Sequence, residues 1–200
     1  MIKLRYLFIF ALYLVSSQTL ANEITSAYTK LDLEKDCTFI REYENGASAT
    51  CKGYEDIEVH FSEGDLRQQV RYGVITKEDT NWESFSEFNH INDTIEWRIK
   101  NAKPFATILR WFISNTDPDE GQPTQKTRGN ILVVSKIGTE EKPQSCIIGY
   151  VDARANKDAN IIARQVADGY LVDGFECGLD KPRFHGSRGK WSGNPTAYAE

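Results

Sequence analysis

The sequence has no excess of basic residues. It contains 24 lysines and arginines against 29 aspartates and glutamates, so its formal net charge is −5 at pH 7. Proteins that bind nucleic acid generally need a basic surface, because binding neutralises phosphates and releases their counterions. We therefore expect no nucleic-acid partner, and the ligand or protein partner stays unidentified from composition alone.

The sequence also lacks an apolar run long enough to cross a membrane. The run at residues 6–15 has ten residues, which as a helix rise only about 15 Å, half of a hydrocarbon core that is about 30 Å thick. Lys3 and Arg5 precede this run, and residues 16–21 are mostly small or polar and end in Ala21. This three-part pattern is typical of a secretory signal peptide cleaved after Ala21. The sequence thus predicts an exported protein, periplasmic or extracellular, whose mature chain has no membrane span.

Cysteine is scarce, and the spacing of the cysteines does not indicate a metal site or a redox-active pair. There are four cysteines, no C-x-x-C motif, and no histidine at ligand spacing from any of them, which argues against a zinc site or a redox pair. An even number of cysteines in an exported chain favours two disulfides. Three pairings are open. We favour Cys37–Cys51 with Cys146–Cys177, because each bond then closes a short loop in its own half of the chain. Each such disulfide stabilises the folded state by about 3 kcal/mol.

Recognisable catalytic and cofactor motifs are missing as well. The sequence contains no G-x-S-x-G, no H-E-x-x-H and no glycine-rich phosphate loop, the patterns of serine hydrolases, zinc proteases and nucleotide-binding proteins. The acidic stretch at 117–128 has its glycine at position 5 and Arg128 at position 12, whereas a calcium loop needs glycine at 6 and glutamate at 12. We expect no metal and no cofactor, and the question of an enzyme stays open with a preference against it.

Alternation of apolar and polar residues dominates the middle of the chain and predicts β-strands. It is clearest at 94–113, where two alternating runs flank a turn and form a hairpin with one strongly apolar face. The other expected elements are a strand at 48–51, a hairpin at 57–74, and strands at 130–137 and 146–151. We expect a short helix or an irregular lead-in at 22–36 and a long loop at 75–92.

One segment has helical periodicity. Between residues 155 and 170 the apolar residues form a single stripe, which predicts one amphipathic helix that packs on the apolar face of the sheet. The members of that stripe are Ala155, Ala159, Ile162, Ala163, Val166, Ala167 and Tyr170. Residues 181–200 are rich in glycine, proline and basic residues, so we expect a flexible basic tail after a single disulfide-stabilised domain at 22–180.

These elements predict an α+β fold. We expect an antiparallel β-sheet of about seven to eight strands, mostly hairpins and meander, with one C-terminal helix packed on it. The alternative is a small lipocalin-like β-barrel with a C-terminal helix. The open sheet is favoured because Glu96, Arg98 and Arg110 lie on the second face of the 94–113 hairpin, whereas a ligand-binding barrel needs a mostly apolar interior.

The candidate binding residues are polar side chains on strands: Glu96, Arg98 and Arg110 on one face of the 94–113 hairpin, and Arg67 on the earlier hairpin. A ladder of cross-strand ion pairs on a solvent-exposed face is the favoured explanation, and such pairs contribute little stability. The functional alternative is an arginine-lined site for a carboxylate or a phosphate. No catalytic residue is assigned.

Several strings resemble a group of small secreted proteins of α-proteobacteria such as rhizobia. The likeness covers most of residues 28–185. The matching strings are Cys37 with CKGY at 51–54, EGDLR at 63–67, Tyr72-Gly73, EWR at 96–98, PFATILRW at 104–111, VDA at 151–153 and A-x-x-VAD at 163–168. The resemblance implies a periplasmic or exported bacterial protein with two disulfides, and it implies no activity and no functional residues.

Export, two disulfides, acidic charge and no recognisable catalytic set together favour a non-catalytic binding or envelope-associated module of unknown ligand. Two alternatives stay open. One is an enzyme of unrecognised type with a polar site on the 94–113 hairpin. The other is a lipocalin-like carrier of small molecules.

Overall fold

The computed structural model describes residues 23–76 and 82–196. The expected signal peptide at 1–21 lies outside these ranges. The elements in chain order are β1 (Ile24–Lys30), β2 (Cys37–Tyr43), β3 (Gly46–Lys52), β4 (Glu58–Gly64), β5 (Arg67–Tyr72), β6 (Phe88–Lys100), β7 (Lys103–Thr116), β8 (Pro123–Lys136), β9 (Cys146–Asp152), α1 (Ala159–Asp173) and β10 (Arg183–His185).

In these ranges the ten strands form one sheet in the order β10-β9-β8-β7-β6-β5-β4-β3-β2, and β1 pairs with β6. Most neighbours are antiparallel, but β10 runs parallel to β9, and β5 meets β6 in parallel at Arg67 and Asn89. The order has two ends, so this is an open mixed sheet and not the closed barrel of the alternative. The predicted α+β fold is confirmed, with more strands than the seven or eight expected.

Two of the differences come from long-range pairing. Residues 24–30, expected as a helix or a lead-in, form β1 beside the second half of β6, in register from Ile24 opposite Lys100 to Lys30 opposite Thr94. The strand β6 itself begins at Phe88, inside the expected loop at 75–92. Both segments are strands because a neighbouring strand satisfies their backbone groups, and local periodicity does not reveal such a neighbour.

The larger core fills one face of the sheet, which bends around it. Odd-numbered residues of the central strands lie there, among them Trp97, Trp111 and Ile131, each fully buried. Register shifts interrupt the pairing of several strands, and such bulges bend a sheet. The bend brings the end of β5 to the end of β8, where Gly73 pairs with Gly138. Gly73 has φ +78°, and a Cβ there would lie 2.1 Å from the Gly138 carbonyl oxygen, so this contact requires glycine.

The helix α1 covers the opposite face. Its buried residues are Ala159, Ala163 and Ala167, spaced four apart on one side of the helix. They pack against Ala106, Ile108, Leu132, Val134, Ile148 and Val151 of the sheet. A Cβ at Gly149 would lie 2.8 Å from Val166 Cγ1, so the small residues on both sides allow a close approach. A helix packed on the sheet is confirmed, but the expected face is wrong: α1 covers the face that carries Glu96 and Arg98, because the strongly apolar face is filled by the bent sheet itself.

Two disulfides join Cys37 to Cys51 and Cys146 to Cys177, which is the pairing that the sequence favours. The first connects directly opposed residues of β2 and β3. The second ties the segment after α1 to the start of β9. In the described part of the chain, no helix has the length and hydropathy needed to cross a membrane.

Residues 181–196, expected to be part of a flexible tail, pack against the sheet. The side chain of Phe184 in β10 stacks on Tyr150, with ring centres 5.0 Å apart. Further along, Ser192 is buried and donates a hydrogen bond to Asp152 Oδ2, which also accepts one from the Gly189 backbone. These long-range contacts hold a segment whose composition alone is typical of a mobile terminus.

Candidate functional site

Two of the predicted binding residues, Glu96 and Arg98, lie beneath α1. Arg98 is held by a paired contact: Nε donates to Asp168 Oδ1 at 3.0 Å and Nη2 donates to Oδ2 at 2.7 Å. Its Nη1 donates to Ser26 Oγ. Glu96 accepts from Arg164 Nε at 2.6 Å and from the Ser26 hydroxyl. A ladder of ion pairs on a solvent-exposed face would require both residues to be exposed. They are instead buried and join β6 and β1 to the helix.

The other two predicted residues lie elsewhere. Arg110 donates to Asn130 and Asn160 near the start of α1, and partial burial lowers its pKa. Arg67 is the first residue of β5, where it donates to Asp65 and packs over the ring of Phe88. The structure brings Glu96 and Arg98 together and leaves the two remaining arginines apart.

A groove runs along the C-terminal end of α1. It consists of two cavities, of about 430 and 750 Å³, which share Tyr170, Gly174 and Phe175 as a common wall. We call them the histidine cavity and the lysine cavity. The first lies against β9 and β10 and includes His185. The second lies against the end of β8 and includes Lys136.

The end of the helix creates this groove. Gly174 has φ +70°, and its N–H donates to the Tyr170 carbonyl, so the chain turns away from the helix axis at this glycine. The following residues fold back on themselves, because the N–H groups of Leu179 and Asp180 both donate to the Glu176 carbonyl. The bond from Cys177 to Cys146 then fixes this segment to β9.

Lys136 is the chemically unusual residue of the groove. It is the last residue of β8, is 9% exposed, and lies on the helix-covered face with Leu132 and Val134. Its Nζ is 6.0 Å from the centre of the Tyr170 ring. Among the residues that the structure describes, its ammonium group makes no hydrogen bond and no ion pair. Burial and the nearby Lys142 lower its pKa, and Glu176 partly opposes them.

The wall of the histidine cavity contains charged residues of both signs. Lys181, Arg183, Asp173 and Asp180 all line the cavity. Burial and the neighbouring Arg183 lower the pKa of His185, which keeps its imidazole neutral near pH 7. This cavity offers mixed polar contacts, whereas the lysine cavity offers an ammonium group with no counter-ion at bonding distance among the described residues.

A second polar cluster lies inside the bent sheet. Glu83 is fully buried, and burial raises its pKa to about 8. Its Oε2 accepts from Ser135 Oγ at 2.7 Å, while its Oε1 makes no hydrogen bond. The hydroxyl groups of Tyr72 and Thr107 are close to each other without the geometry of a hydrogen bond. Four oxygen-bearing side chains thus meet in the core, and one of them, Glu83, comes from the segment expected to be a loop at 75–92.

Lys136 was missed in the sequence, although a signal for it exists. The strand expected at 130–137 places Lys136 on the same face as Leu132 and Val134, so a lysine occupies a position where the pattern predicts an apolar residue. Nothing in the sequence indicates that α1 would cover that face and bury the ammonium group.

The comparisons with known proteins give no relative. No family model, no curated protein and no solved structure matches the chain.

Proposed function

We propose that the protein is an exported, non-catalytic binding module and that its ligand occupies the groove at the C-terminal end of α1. The observation that carries the proposal is the pair of cavities that share the wall of Tyr170, Gly174 and Phe175. Their volumes fall in the range of about 300–1,000 Å³ that is typical of small-molecule sites.

The side chains of the groove favour recognition over chemistry. Aromatic surface from Tyr170 and Phe175 is combined with a few polar groups, the usual composition of a binding pocket. The cysteine in its wall, Cys177, is bonded to Cys146 and does not act as a nucleophile. The groove is also built on firm supports, since one wall is a helix and the other is a segment fixed by a disulfide.

Export is the other half of the proposal. The pattern of residues 1–21 supports it, and the two disulfides are compatible with an oxidising compartment. Expression of the full chain in a bacterial host tests it by fractionation and mass spectrometry of the N-terminus. We expect a processed chain that begins at Asn22 outside the cytoplasm. An unprocessed chain retained in the cytoplasm would contradict export.

The binding test is thermal unfolding of the oxidised protein against sugars, amines, organic acids and their neutral amides. A ligand at 100 times its Kd stabilises the folded state by about 2.7 kcal/mol, which raises Tm by several degrees in a domain of this size. The variant Tyr170→Ala should abolish the shift, because Tyr170 belongs to the wall that both cavities share.

The matched control is Ile161→Ala, which truncates an exposed apolar side chain of the same helix. It should leave the shift unchanged. The proposal fails if no compound raises Tm, or if the two variants respond to the ligand in the same way as the unmodified protein.

A further inference from the structure

We infer that the lysine cavity binds a small organic acid, whose carboxylate lies at Lys136 and Lys142 and whose apolar part packs on Tyr170 and Phe175. The inference rests on the proposed function and specifies its ligand. It is carried by Lys136, a residue only 9% exposed, whose ammonium group lies in the wall of this cavity and meets no counter-ion at bonding distance among the described residues.

A lysine at position 136 makes the fold less stable than an apolar residue would, so a purely structural role does not explain it. Lysines are rarely buried without a partner, because desolvation of an ammonium group is expensive. Its neighbours on the same face of β8, Leu132 and Val134, are apolar and contribute to the core beneath α1. An apolar residue at 136 would continue that surface at lower cost. A residue that breaks the local pattern in a cavity wall is more readily explained by a ligand than by folding.

The charged residues around the lysine cavity favour a ligand with a single negative charge. Within residues 23–76 and 82–196, the titratable groups that line the cavity are Lys136, Lys142, Tyr170 and Glu176. Burial raises the pKa of Tyr170, so its phenol is neutral near pH 7. Two lysines and one glutamate leave one net positive charge. A monocarboxylate neutralises it, whereas inorganic phosphate with about 1.5 to 2 negative charges exceeds it.

The rest of the cavity wall suits a ligand with an apolar body. Tyr170 and Phe175 form the shared wall, and Pro143 and Leu171 also line the cavity. Two neutral polar residues, Thr76 and Gln144, lie in the same wall and can hydrogen-bond to a carboxylate. An aromatic or short aliphatic acid matches this combination of one charged end and one apolar end.

The test is isothermal titration of the oxidised full mature chain with benzoate and hexanoate. Benzamide and hexanamide are their neutral counterparts, and inorganic phosphate is the anion without an apolar body. We expect at least one acid to bind with an affinity about tenfold or more above that of its amide and of phosphate, because a hydrogen bond to a buried charge is the stronger kind.

Two variants make the test specific. Lys136→Met keeps the length of the side chain and removes the charge, so it should lose acid binding while raising Tm of the ligand-free protein. Lys126→Met removes a charge from an exposed position of the same strand and should change neither. Should the methionine variant fail to fold, binding by the unmodified protein must still fall as pH rises through the lowered pKa of Lys136.

The results separate the inference from the proposed function. Equal binding of an acid and its amide, lost in Tyr170→Ala, would overturn the inference and leave a binding module with a neutral ligand. Phosphate that binds as well as the acids would also overturn it. If neither these acids nor any compound of the wider panel binds, both the inference and the proposed function fail.

Discussion

Ser135 Oγ donates a hydrogen bond of 2.7 Å to Glu83 Oε2 in the interior of the bent sheet, and this is the sole hydrogen bond that the described residues give to that carboxyl group. Glu83 is 3% exposed. Burial disfavours the ionised form, and its pKa rises from 4.5 to about 8 although Ser135 and Arg71 lower it. Glu83 is therefore mostly neutral at pH 7.

The first prediction concerns the pH dependence of stability. Between pH 5 and pH 8 an unfolded Glu83 is ionised while the folded one holds its proton, so the folded state binds more protons. Stability must then fall as pH rises, by up to about 1.4 kcal/mol per pH unit over that window. Urea unfolding at pH 5, 6, 7 and 8 measures this slope. The variant Glu83→Gln, which does not titrate, should have a flatter profile.

The control for this prediction is Glu140→Gln, at an exposed position between β8 and β9. It should leave the slope of the unmodified protein in place. If Glu83→Gln and Glu140→Gln have the same pH profile, the buried carboxyl group is ionised in the folded protein and the assignment of its pKa is wrong.

The second prediction concerns the charged residues beneath α1. The side chain of Arg98 is 8% exposed, and removing it leaves Asp168 without its paired contact and Ser26 without the donor to its hydroxyl oxygen. We expect Arg98→Ala to destabilise the fold by about 3–5 kcal/mol, the range for breaking a buried pair. Lys30→Ala removes an ion pair whose partners are 66% and 59% exposed and should cost less than about 1 kcal/mol. Chemical denaturation of both variants measures these losses of stability. Equal losses would contradict the assignment of Arg98 to a buried ion pair.

The third prediction concerns the C-terminal segment. A chain that ends at Asp180 lacks β10 and the groups that donate to Asp152 Oδ2. Loss of these partners and of the stacking between Phe184 and Tyr150 should destabilise the protein by about 3 kcal/mol or more. A chain that ends at Thr196 keeps all of these contacts and should unfold like the full chain. Two truncations with the same Tm would show instead that the segment contributes nothing.

The fourth prediction concerns a turn. Asp65 and Leu66 connect β4 to β5 with φ values of +50° and +59°, a two-residue turn that favours glycine at its second position. Leu66 is 62% exposed and has little packing to lose. Leu66→Gly should stabilise the fold by about 1 kcal/mol and raise Tm by a few degrees. Leu179→Gly, an exposed leucine without positive φ, should be neutral or destabilising when both are measured by calorimetry.

Much of the fold follows from local pattern. The hairpin at 94–113 can be predicted because apolar residues recur at every second position of each strand. Ile95 and Trp97 on the first strand and Leu109 on the second share one face, and that face is buried in the structure. The helix is visible because Ala159, Ala163 and Ala167 repeat every four residues. A short repeat that matches a strand or a helix constrains the backbone without knowledge of its partners.

The candidate site is less visible. Glu96 and Arg98 were singled out as polar residues on a strand, but whether they face water or a helix depends on where α1 packs. Lys136 and Tyr170 are 34 positions apart, and only the folded chain places that ammonium group near that ring. Burial, not residue type, distinguishes Lys136 from the other lysines, and burial is a property of the whole fold.

The sequence by itself determined the strand and helix periods, the favoured pairing of the cysteines, and the balance of charge, because each depends on residue type and spacing along the chain. The tertiary structure alone decided the pairing of β1 with β6, the packing of residues 181–196, and the groove at the end of α1. These depend on contacts between residues far apart in the chain, whose free energy no local pattern encodes.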